Sequence, residues 1–247
     1  MNTNLNYFNN FFIKDKDNIL VLDKNDSYTE NFGKQWRDYR DVQIDSINNF
    51  NISYDYLNKI LFNNIDKLKD KKILEIGSGA GRFTEHLVKY AKNCVSIDLS
   101  SAIFHNIAKN ENNLILIKAD FNKLIIKEKF DIVFCRGVLQ HTPNPFKSIL
   151  KIHSFVKEEG EVYFDIYKMP KLGYLHPKYF FWRPLIQNFI KYENFENFLK
   201  NNINFLMLLK KILRKLTLNS DFLSDSIIPL WDYSNVYRID KNKLKLW

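Results

Sequence analysis

The sequence predicts an α/β protein whose core is a doubly wound parallel sheet with helices on both faces. Short apolar runs rich in β-branched residues alternate with helix-length segments between residues 71 and 167. Strands and helices that alternate in this way are joined by right-handed crossovers, which place the strands parallel in one sheet. A glycine-rich stretch, GSGAG at 77–81, directly follows the first apolar run. Glycines this close together indicate a backbone that passes near a ligand or makes a tight turn.

Each element of this core has its own signal in the sequence. Helices are predicted across RFTEHLVKYAK and SAIFHNIAKN. A further amphipathic helix is predicted across NPFKSILKIHSFVK, ended by Glu159 and Gly160. Its apolar side is predicted to carry Phe146, Ile149, Leu150, Ile152 and Phe155. The five predicted strands are KKILEIG, NCVSIDL, NLILIKA, KFDIVFCRG and EVYFDIY.

The segments on either side of the core do not show this alternation of strand and helix patterns. Residues 1–70 contain an extended piece, NILVLDK, and two predicted helices near FGKQWRDYRDVQIDSINNF and SYDYLNKILFNNIDKLK. Residues 168–247 open with a proline- and aromatic-rich stretch and continue as helical segments to about Leu218. The sequence therefore predicts three parts: an N-terminal helical extension, an α/β core at 71–167, and a mostly helical tail.

The composition is that of a soluble globular protein, with 45% apolar and 26% charged residues. The net charge of +9 is compatible with nucleic acid as a partner. The lysines, however, are interleaved with acids except around residues 210–215. A dispersed, solvated surface charge explains the excess better, so nucleic acid is not the expected partner. Cys94 and Cys135 lie inside apolar runs, which indicates buried thiols and a reducing compartment.

Signals for export, membrane insertion and metal binding are not evident in the sequence. The N-terminus lacks the basic region and long apolar stretch of a signal peptide, and no apolar run reaches about 18 residues. The five histidines show no zinc-binding spacing. We therefore expect a cytoplasmic protein without a bound metal, whose oligomeric state the sequence does not indicate.

The residues around the glycine loop narrow the choice of ligand. A phosphate-binding P-loop is excluded because no G-K-[ST] follows, and Arg82 occupies the sixth position, where dinucleotide-binding loops have glycine or alanine. Asp98 ends the second strand, Asp120 follows the third, and Glu75 precedes the first glycine by two residues. The carboxyl ends of parallel strands share one edge of the sheet, where ligands bind. There Asp98 suits ribose hydroxyls, and Asp120 suits an adenine amino group with Phe121 packed on the ring.

Together these motifs resemble the class I S-adenosyl-L-methionine (SAM)-dependent methyltransferases, which have a Rossmann-like fold. ILEIGSGAGRFTEHL resembles the first motif of that family, VSIDLS the second and IKADF the third. FDIVFCRGVLQHTPNP with FVKEEGEVYFDIY resembles the motifs at and after the fourth strand. FGKQWRDYRDVQIDS further resembles a bacterial subgroup tied to surface-polysaccharide, including capsule, and other cell-envelope modification. The resemblance implies SAM as cofactor and S-adenosyl-L-homocysteine (SAH) as product.

The resemblance also implies which residues meet the cofactor. Glu75 is placed near the amino group of SAM, in contact either directly or through water, and Asp98 is placed at the ribose. Leu99, Asp120 and Phe121 are placed at the adenine. The residues implied beside the methionine portion are Gly77, Ser78, Gly79, Arg136 and Gly137, with Gln140 in a positioning role.

The N-terminal extension is expected to close over the cofactor through Gln35 and Trp36. The alternative is that Trp36 only fastens its helix to the core. His141, in RGVLQHTPNP after the fourth strand, is the candidate general base, and the alternative is a loop histidine that orients the cofactor or caps the next helix. Weaker candidates for substrate contacts follow the fifth strand: Tyr167, His176 and Arg183.

The expected acceptor is an oxygen of a surface-glycan, phosphate-linked or other envelope precursor. Its carrier would be a small molecule or a nucleotide-linked, phosphate-linked or lipid-linked sugar. The alternatives are N-methylation of a small amine and a non-catalytic module that binds SAM or SAH. A nicotinamide oxidoreductase is disfavoured by Arg82, and no N/D-P-P-Y motif of the kind found in base methylation is present.

The tail carries an amphipathic segment at 205–218, with leucines, Ile212 and Phe205 opposite lysines and Arg214. Either it contacts an anionic membrane at the inner face, or it is a lid helix whose apolar side packs on the core. The final antiparallel strand pair of the family is not evident after Tyr167. We therefore expect either that this pair is missing or that the chain is a shortened version of a longer protein.

Overall fold

The computed structural model describes residues 2–4, 7–15, 17–23, 29–167, 177–182, 184–185, 188, 190 and 192–228. Contacts divide the chain into two compact units, Met1–Tyr167 and Lys168–Trp247. No helix in these ranges is both long enough and apolar enough to cross a membrane.

The first unit is built on a single eight-stranded sheet in the order β1-β2-β3-β6-β5-β4-β7-β8. Strands β4 to β8 are parallel to one another, and the chain moves outward from β4 first on one side and then on the other. This arrangement confirms the predicted doubly wound α/β core. The strand bounds are β1 Asn2–Asn4, β2 Phe11–Lys14, β3 Leu20–Val21, β4 Lys72–Ile76, β5 Asn93–Asp98, β6 Leu114–Lys118, β7 Phe130–Cys135 and β8 Val156–Phe164.

The N-terminal segment contributes three strands beside its helices. Strand β3 lies within the extended piece predicted at NILVLDK, whereas β1 and β2 were not predicted. Strand β2 is antiparallel to both β1 and β3, and β3 lies parallel to β6, with Leu20 opposite Ile117. Along β2 the burial alternates: Phe12 is fully buried, whereas Phe11 and Ile13 are exposed. One apolar face therefore fixes these short strands against the sheet.

Seven α-helices occur in the described ranges, and most lie where the sequence predicts them. Their bounds are α1 Glu30–Asp38, α2 Asp45–Asn48, α3 Ile52–Ile60, α4 Thr84–Tyr90, α5 Pro145–Phe155, α6 Tyr192–Leu216 and α7 Asp221–Ile227. The helix predicted across SAIFHNIAKN is instead a 3₁₀ turn, Ser101–His105. It stops at Asn106, whose side chain accepts a hydrogen bond from the amide of Ala108 and donates one to Thr84. An asparagine that bonds locally in this way competes with helix continuation.

Helix α5 and strand β8 meet earlier than the sequence predicts. Asn144 caps the helix by accepting a hydrogen bond from the amide of Lys147, and Pro145 occupies the first position. The helix ends at Phe155, so Glu159 and Gly160 lie within β8 and do not end the helix. Its exposed residues include two that were expected on the apolar side: Phe146 and Leu150. The core-facing side is formed by Ser148, Ile152 and Phe155.

Hydrophobic clusters cover both faces of the parallel strands. Alternate residues of β4 face opposite ways, with Leu74 and Ile76 in one cluster and Ile73 in the other. Both free cysteines are buried in these clusters, as predicted. In the described part of the chain, no strand follows Phe164. The carboxyl ends of β4 to β7 are left as the edge at which the predicted site residues collect.

Candidate active site at the carboxyl edge of the sheet

The glycine loop after β4 adopts backbone conformations that favour glycine. Gly77, Gly79 and Gly81 have φ angles of 79°, 51° and 99°. A β-carbon placed on Gly77 would lie 2.0 Å from Cγ2 of Val138, so no larger residue fits there. The amides of Gly77 and Ser78 both donate to the carbonyl of Ile97, at 2.7 and 3.2 Å. These bonds hold the loop against the end of β5.

Asp98 at the end of β5 fastens this loop through its carboxylate. Its Oδ2 accepts a hydrogen bond from the amide of Gly79 at 2.7 Å, and its Oδ1 accepts from the amide and the hydroxyl of Ser100 at 2.8 and 2.6 Å. Burial raises the pKa of Asp98, although these donors and the charge of Lys118 oppose the shift. A carboxylate offers about four acceptor positions, so one position remains for a ligand hydroxyl.

Three residues at this edge carry buried side-chain atoms that have no hydrogen-bond partner. They are Oγ of Ser78, Nε of Arg136, and both amide atoms of Gln140, and in the described ranges no other residue carries such atoms. Buried polar atoms are nearly always hydrogen-bonded in folded proteins. All three residues are among those that the family resemblance places at the cofactor.

The comparisons with known proteins agree with this geometry. Residues 74–164 match the family model described as a methyltransferase domain. Over this range the chain is similar to a methyltransferase domain, and residues 74–164 are called the methyltransferase domain below.

Relatives and solved structures are similar to this domain at low identity. A "Ubiquinone biosynthesis O-methyltransferase" of Coxiella burnetii is 26% identical over 115 residues, which is 44% of this chain and 49% of that protein. The protein of the same name from Hydrogenovibrio crunogenus is 31% identical over 114 residues, 44% of this chain and 47% of that protein. The chain thus spans about half the length of the curated relatives it matches. The N-methyltransferase NodS from Bradyrhizobium japonicum is 20% identical, with a TM-score of 0.42 over 48% of this chain and 70% of that chain.

Glu75 lies beneath the glycine loop of the methyltransferase domain and is 1% exposed. Its Oε2 accepts hydrogen bonds from the hydroxyls of Thr84 and Ser96, at 2.7 and 2.6 Å. Burial raises its pKa to about 7, the two hydroxyls oppose the shift, and the charge of Asp98 adds to it. The carboxylate therefore links β4, β5 and α4 inside the domain, and its contact with the amino group of SAM stays a prediction.

The adenine end of the predicted site is formed by residues after β5 and β6. Asp120 accepts hydrogen bonds from the amide and the side chain of Asn122 through its Oδ1. Its own amide donates to Asp23, which follows the N-terminal strand β3. Phe121 is only 6% exposed and belongs to the main hydrophobic cluster, whereas Leu99 is partly exposed. Leu99 is thus better placed to meet a ring, and stacking by Phe121 stays a prediction.

Arg136 and Gly137 follow β7 and are held by groups that the sequence did not indicate. The guanidinium of Arg136 lies 3.9 Å from the ring centroid of Tyr56, on α3, and its Nε is 3.8 Å from a carboxylate oxygen of Asp165. The amide of Gly137, whose φ is 70°, donates to Asp165 at 2.5 Å. Asp165 follows β8, and no sequence motif surrounds it. Its contact with Gly137 follows from the pairing of β8 with β7, which the sequence alone does not show.

Trp36 of α1 lies against the glycine loop. Its ring would be 3.5 Å from a β-carbon on Gly79, and it remains partly exposed, as does Gln35 beside it. The N-terminal segment therefore reaches the loop as predicted, while a direct role of either residue in cofactor binding stays a prediction.

Arg82 joins the N-terminal segment to the methyltransferase domain. Its Nε donates to the hydroxyl of Ser53 at 2.9 Å, and its Nη1 donates to the side-chain oxygen of Gln43 at 3.0 Å. Both partners are buried. Sequence reasoning used this position only to exclude a dinucleotide-binding loop, because its partners lie 29 and 39 residues away.

Asp45, Glu85 and His86 form a buried cluster whose side-chain ligand atoms lie within 4.8 Å of one another, close enough to hold a metal ion. Asp45 Oδ2 lies 3.1 Å from Nε2 of His86 and accepts hydrogen bonds from the amides of Ser53 and Tyr54 at the start of α3. Burial acts to raise the pKa of Asp45, but the His86 and backbone hydrogen bonds outweigh it and leave the pKa lowered. Through these bonds Asp45 caps the start of α3, which explains the cluster without a metal ion. The sequence did not indicate this role, because Asp45 is far from Glu85 and His86 along the chain.

His141 lies at the exposed rim of the site, on a short 3₁₀ turn after β7. The ring of Tyr167 meets it edge-on, with centroids 6.2 Å apart and an interplanar angle of 88°. The structure thus brings together two residues that were predicted on the acceptor side. The other two, His176 and Arg183, lie outside the described residues.

Proposed function

We propose that this protein is a SAM-dependent methyltransferase that transfers a methyl group to an oxygen atom of a small acceptor. The observation that carries the proposal is the set of buried side-chain atoms that make no hydrogen bond, on Ser78, Arg136 and Gln140 around the glycine loop. Of these, only Nε of Arg136 has an ion-pair contact, the 3.8 Å approach to Asp165. Groups of this kind need a partner, and a ligand with both donors and acceptors satisfies them. The amino acid portion of SAM offers an ammonium and a carboxylate, which fits the mixed donor and acceptor set.

The residues of the site have separable tasks in this proposal. Asp98 holds the loop and accepts from a ribose hydroxyl with its remaining acceptor position, while Ser78 and Gln140 orient the methionine portion. Bound SAM supplies a methyl group on a positively charged sulfur, which an acceptor atom displaces in line. Because the leaving group is already activated, the protein mainly aligns the partners, and alignment contributes about 7–11 kcal/mol in favourable cases.

The acceptor side is carried by His141 and Tyr167. The exposed imidazole is accessible to an incoming hydroxyl, and the phenol ring beside it limits the directions from which an acceptor can approach. We propose that His141 takes the acceptor proton as general base, which typically contributes about 10²–10⁴-fold. A hydroxyl acceptor gains most from such a base.

Two acceptor classes follow from different observations. The resemblance of the N-terminal segment supports a hydroxyl of an envelope precursor, such as a nucleotide-linked or lipid-linked sugar. The names of the relatives matched over the methyltransferase domain support an intermediate of ubiquinone biosynthesis. Both are O-methylations, so the reaction class is common to the two. N-methylation of a small amine, or a non-catalytic SAM-binding role, remain the alternatives to be tested.

Calorimetry on the full chain tests the cofactor. We expect SAM and SAH to bind and NAD not to bind. Asp98→Ala removes a charged acceptor and should weaken SAM binding at least tenfold, because a hydrogen bond to a charged group contributes about 1.5–3 kcal/mol. Asp55→Ala, at an exposed acid on α3, is the matched control and should bind like the natural chain. Equal SAM affinity of both variants, or no binding of either sulfur nucleotide, would contradict the proposal.

Turnover then tests the base and the acceptor class. Purified envelope precursors and ubiquinone intermediates are incubated with SAM, and the product is identified by its mass increment of one methylene group. With the accepted substrate, His141→Ala should lower kcat by about 10²–10⁴-fold while leaving SAM affinity unchanged. His153→Ala, at an exposed histidine on α5, should leave turnover unchanged. Undiminished turnover of His141→Ala would exclude the base role.

A further inference from the structure

Helix α6 carries an exposed apolar stripe along its length. The helix has 25 residues, so it is about 37 Å long. Successive stripe positions are separated by seven, three, four and four residues, which places them on one helix face. Each is between 45% and 74% exposed: Phe198, Phe205, Leu208, Ile212 and Leu216. An exposed apolar row of this length on one helix is the signature of a binding surface.

A different side of the helix is used for contacts within the second unit. Nζ of Lys210 lies 2.5 Å from a carboxylate oxygen of Asp225 on α7, and both side chains are largely buried. Lys210 is about 120° around the helix from Phe198, at 100° per residue. In the described part of this unit, α7 therefore fastens one side of α6 and leaves the stripe exposed. Leu218, Phe222 and Leu223 add further exposed apolar side chains just beyond the helix.

The charges around the stripe are of one sign. Between residues 197 and 220 the sequence has no acidic residue, and its cations are Lys200, Lys210, Lys211, Arg214 and Lys215. Lys211 and Lys215 are exposed, and their helical positions border the stripe on one side. An apolar face bordered by lysines fits a surface that is apolar inside and anionic at its boundary. A second copy of this helix would bring the two basic borders together, which is unfavourable.

We propose that α6 lies flat on an anionic lipid membrane, with the stripe inserted below the headgroups and the lysines on the phosphates. Such helices insert their apolar face to a depth of about 5–10 Å, and each nearby cation strengthens binding about fivefold. The surface belongs to the second unit alone, so its membrane binding is independent of the proposed methyl transfer and is measured without SAM. It would bring the methyltransferase domain to acceptors that are anchored in the same bilayer.

Vesicle co-sedimentation of the full chain tests this inference. Vesicles of three parts phosphatidylcholine to one part phosphatidylglycerol should retain the protein, and vesicles of phosphatidylcholine alone should retain at least tenfold less.

Two double variants of α6 test the apolar stripe and its basic border separately. The variant Phe205→Ser/Leu208→Ser should lower vesicle binding at least tenfold, and Lys211→Gln/Lys215→Gln should lower it tenfold or more at low salt. The matched controls are Phe62→Ser and Lys127→Gln/Lys129→Gln, which change exposed residues of the first unit and should bind normally.

Each other outcome overturns the inference. Undiminished binding of both α6 variants, or no retention on anionic vesicles, would show that the stripe does not meet lipid. A change in oligomeric state in gel filtration without vesicle binding would assign the stripe to a second copy. A changed KM for the acceptor without vesicle binding would assign it to substrate access. Circular dichroism and unchanged SAM affinity establish that the variants are folded, and failure of SAM binding in the natural chain would affect only the proposed function.

Discussion

At the residue scale, the ionisation of Glu75 is coupled to folding. Its pKa of about 7 lies above the ordinary value of 4.5 because burial penalises the charged form, and the nearby charge of Asp98 adds to the effect. The folded state therefore binds the proton more tightly than the unfolded chain does. The resulting contribution to stability is complete below about pH 4.5 and is lost as the pH rises through about 7.

Glu75→Gln should remove this pH dependence. The glutamine oxygen can accept from Thr84 and Ser96 as the carboxylate does, but it has no proton to lose. Between pH 4.5 and 8 the free energy of unfolding of the natural chain should fall relative to that of the variant by roughly 3 kcal/mol, because folding raises the pKa of Glu75 from 4.5 to about 7. Urea unfolding at a series of pH values measures both curves. Parallel curves would show that Glu75 does not titrate in this range.

The sequence predicted the position of those residues that come directly at the end of a strand. The three glycines, Asp98 and Asp120 are of this kind, because parallel strands bring their carboxyl ends to one edge whatever the details of packing. Asp165 and Asp23 were missed, since each reaches the site through a partner 28 or 97 residues away. Side-chain direction was also beyond sequence reasoning, as the inward turn of Glu75 shows.

At the element scale, periodic signals predicted long elements and failed on short ones. Strands β4 to β7 have continuous apolar patterns and lie where expected, whereas β8 begins five residues before its predicted run, in a polar stretch, and α5 ends correspondingly early. Strands β1 and β2 have only three and four residues, and β2 has a single buried side chain, Phe12, which is too little pattern to recognise. The sequence after β5 has the pattern of a helix, but the structure has only a short turn there. The turn ends at Asn106, whose side chain bonds to the amide of Ala108 and to Thr84 of α4.

Removing the contact between Arg82 and the N-terminal segment should lower the stability of that segment. Arg82→Ala leaves the buried side chains of Gln43 and Ser53 without this partner, which should cost about 1–3 kcal/mol of unfolding free energy. Amide hydrogen exchange should speed up first across residues 43–57, before the parallel strands are affected.

Arg37→Ala is the control for this prediction. Arg37 is an exposed residue on α1 that pairs with Asp38, and such surface pairs contribute roughly 0–1 kcal/mol. Its exchange pattern should match that of the natural chain. If both variants show the same pattern, the tether through Arg82 is not what holds this segment.

At the scale of the whole molecule, the division after Tyr167 separates the predicted cofactor site from the tail. All predicted cofactor residues lie between 35 and 140, within the first unit. A chain ending after Tyr167 should therefore bind SAM with a Kd within about threefold of the full chain and should lose retention on anionic vesicles. Calorimetry and co-sedimentation measure the two properties separately. A folded fragment that fails to bind SAM would show that the cofactor site depends on residues after 167.

The pairing of β3 with β6 also sets an order of events during synthesis. Leu20 is opposite Ile117, so a ribosome must add another 97 residues before the partner strand exists. At about 5–20 residues per second this takes roughly 5–20 seconds. Through that interval the apolar residues of β2 and β3 have no native surface to cover them. The first strands to emerge can thus pair only with one another, and the edge of β3 that receives β6 stays open until residue 117 has been added.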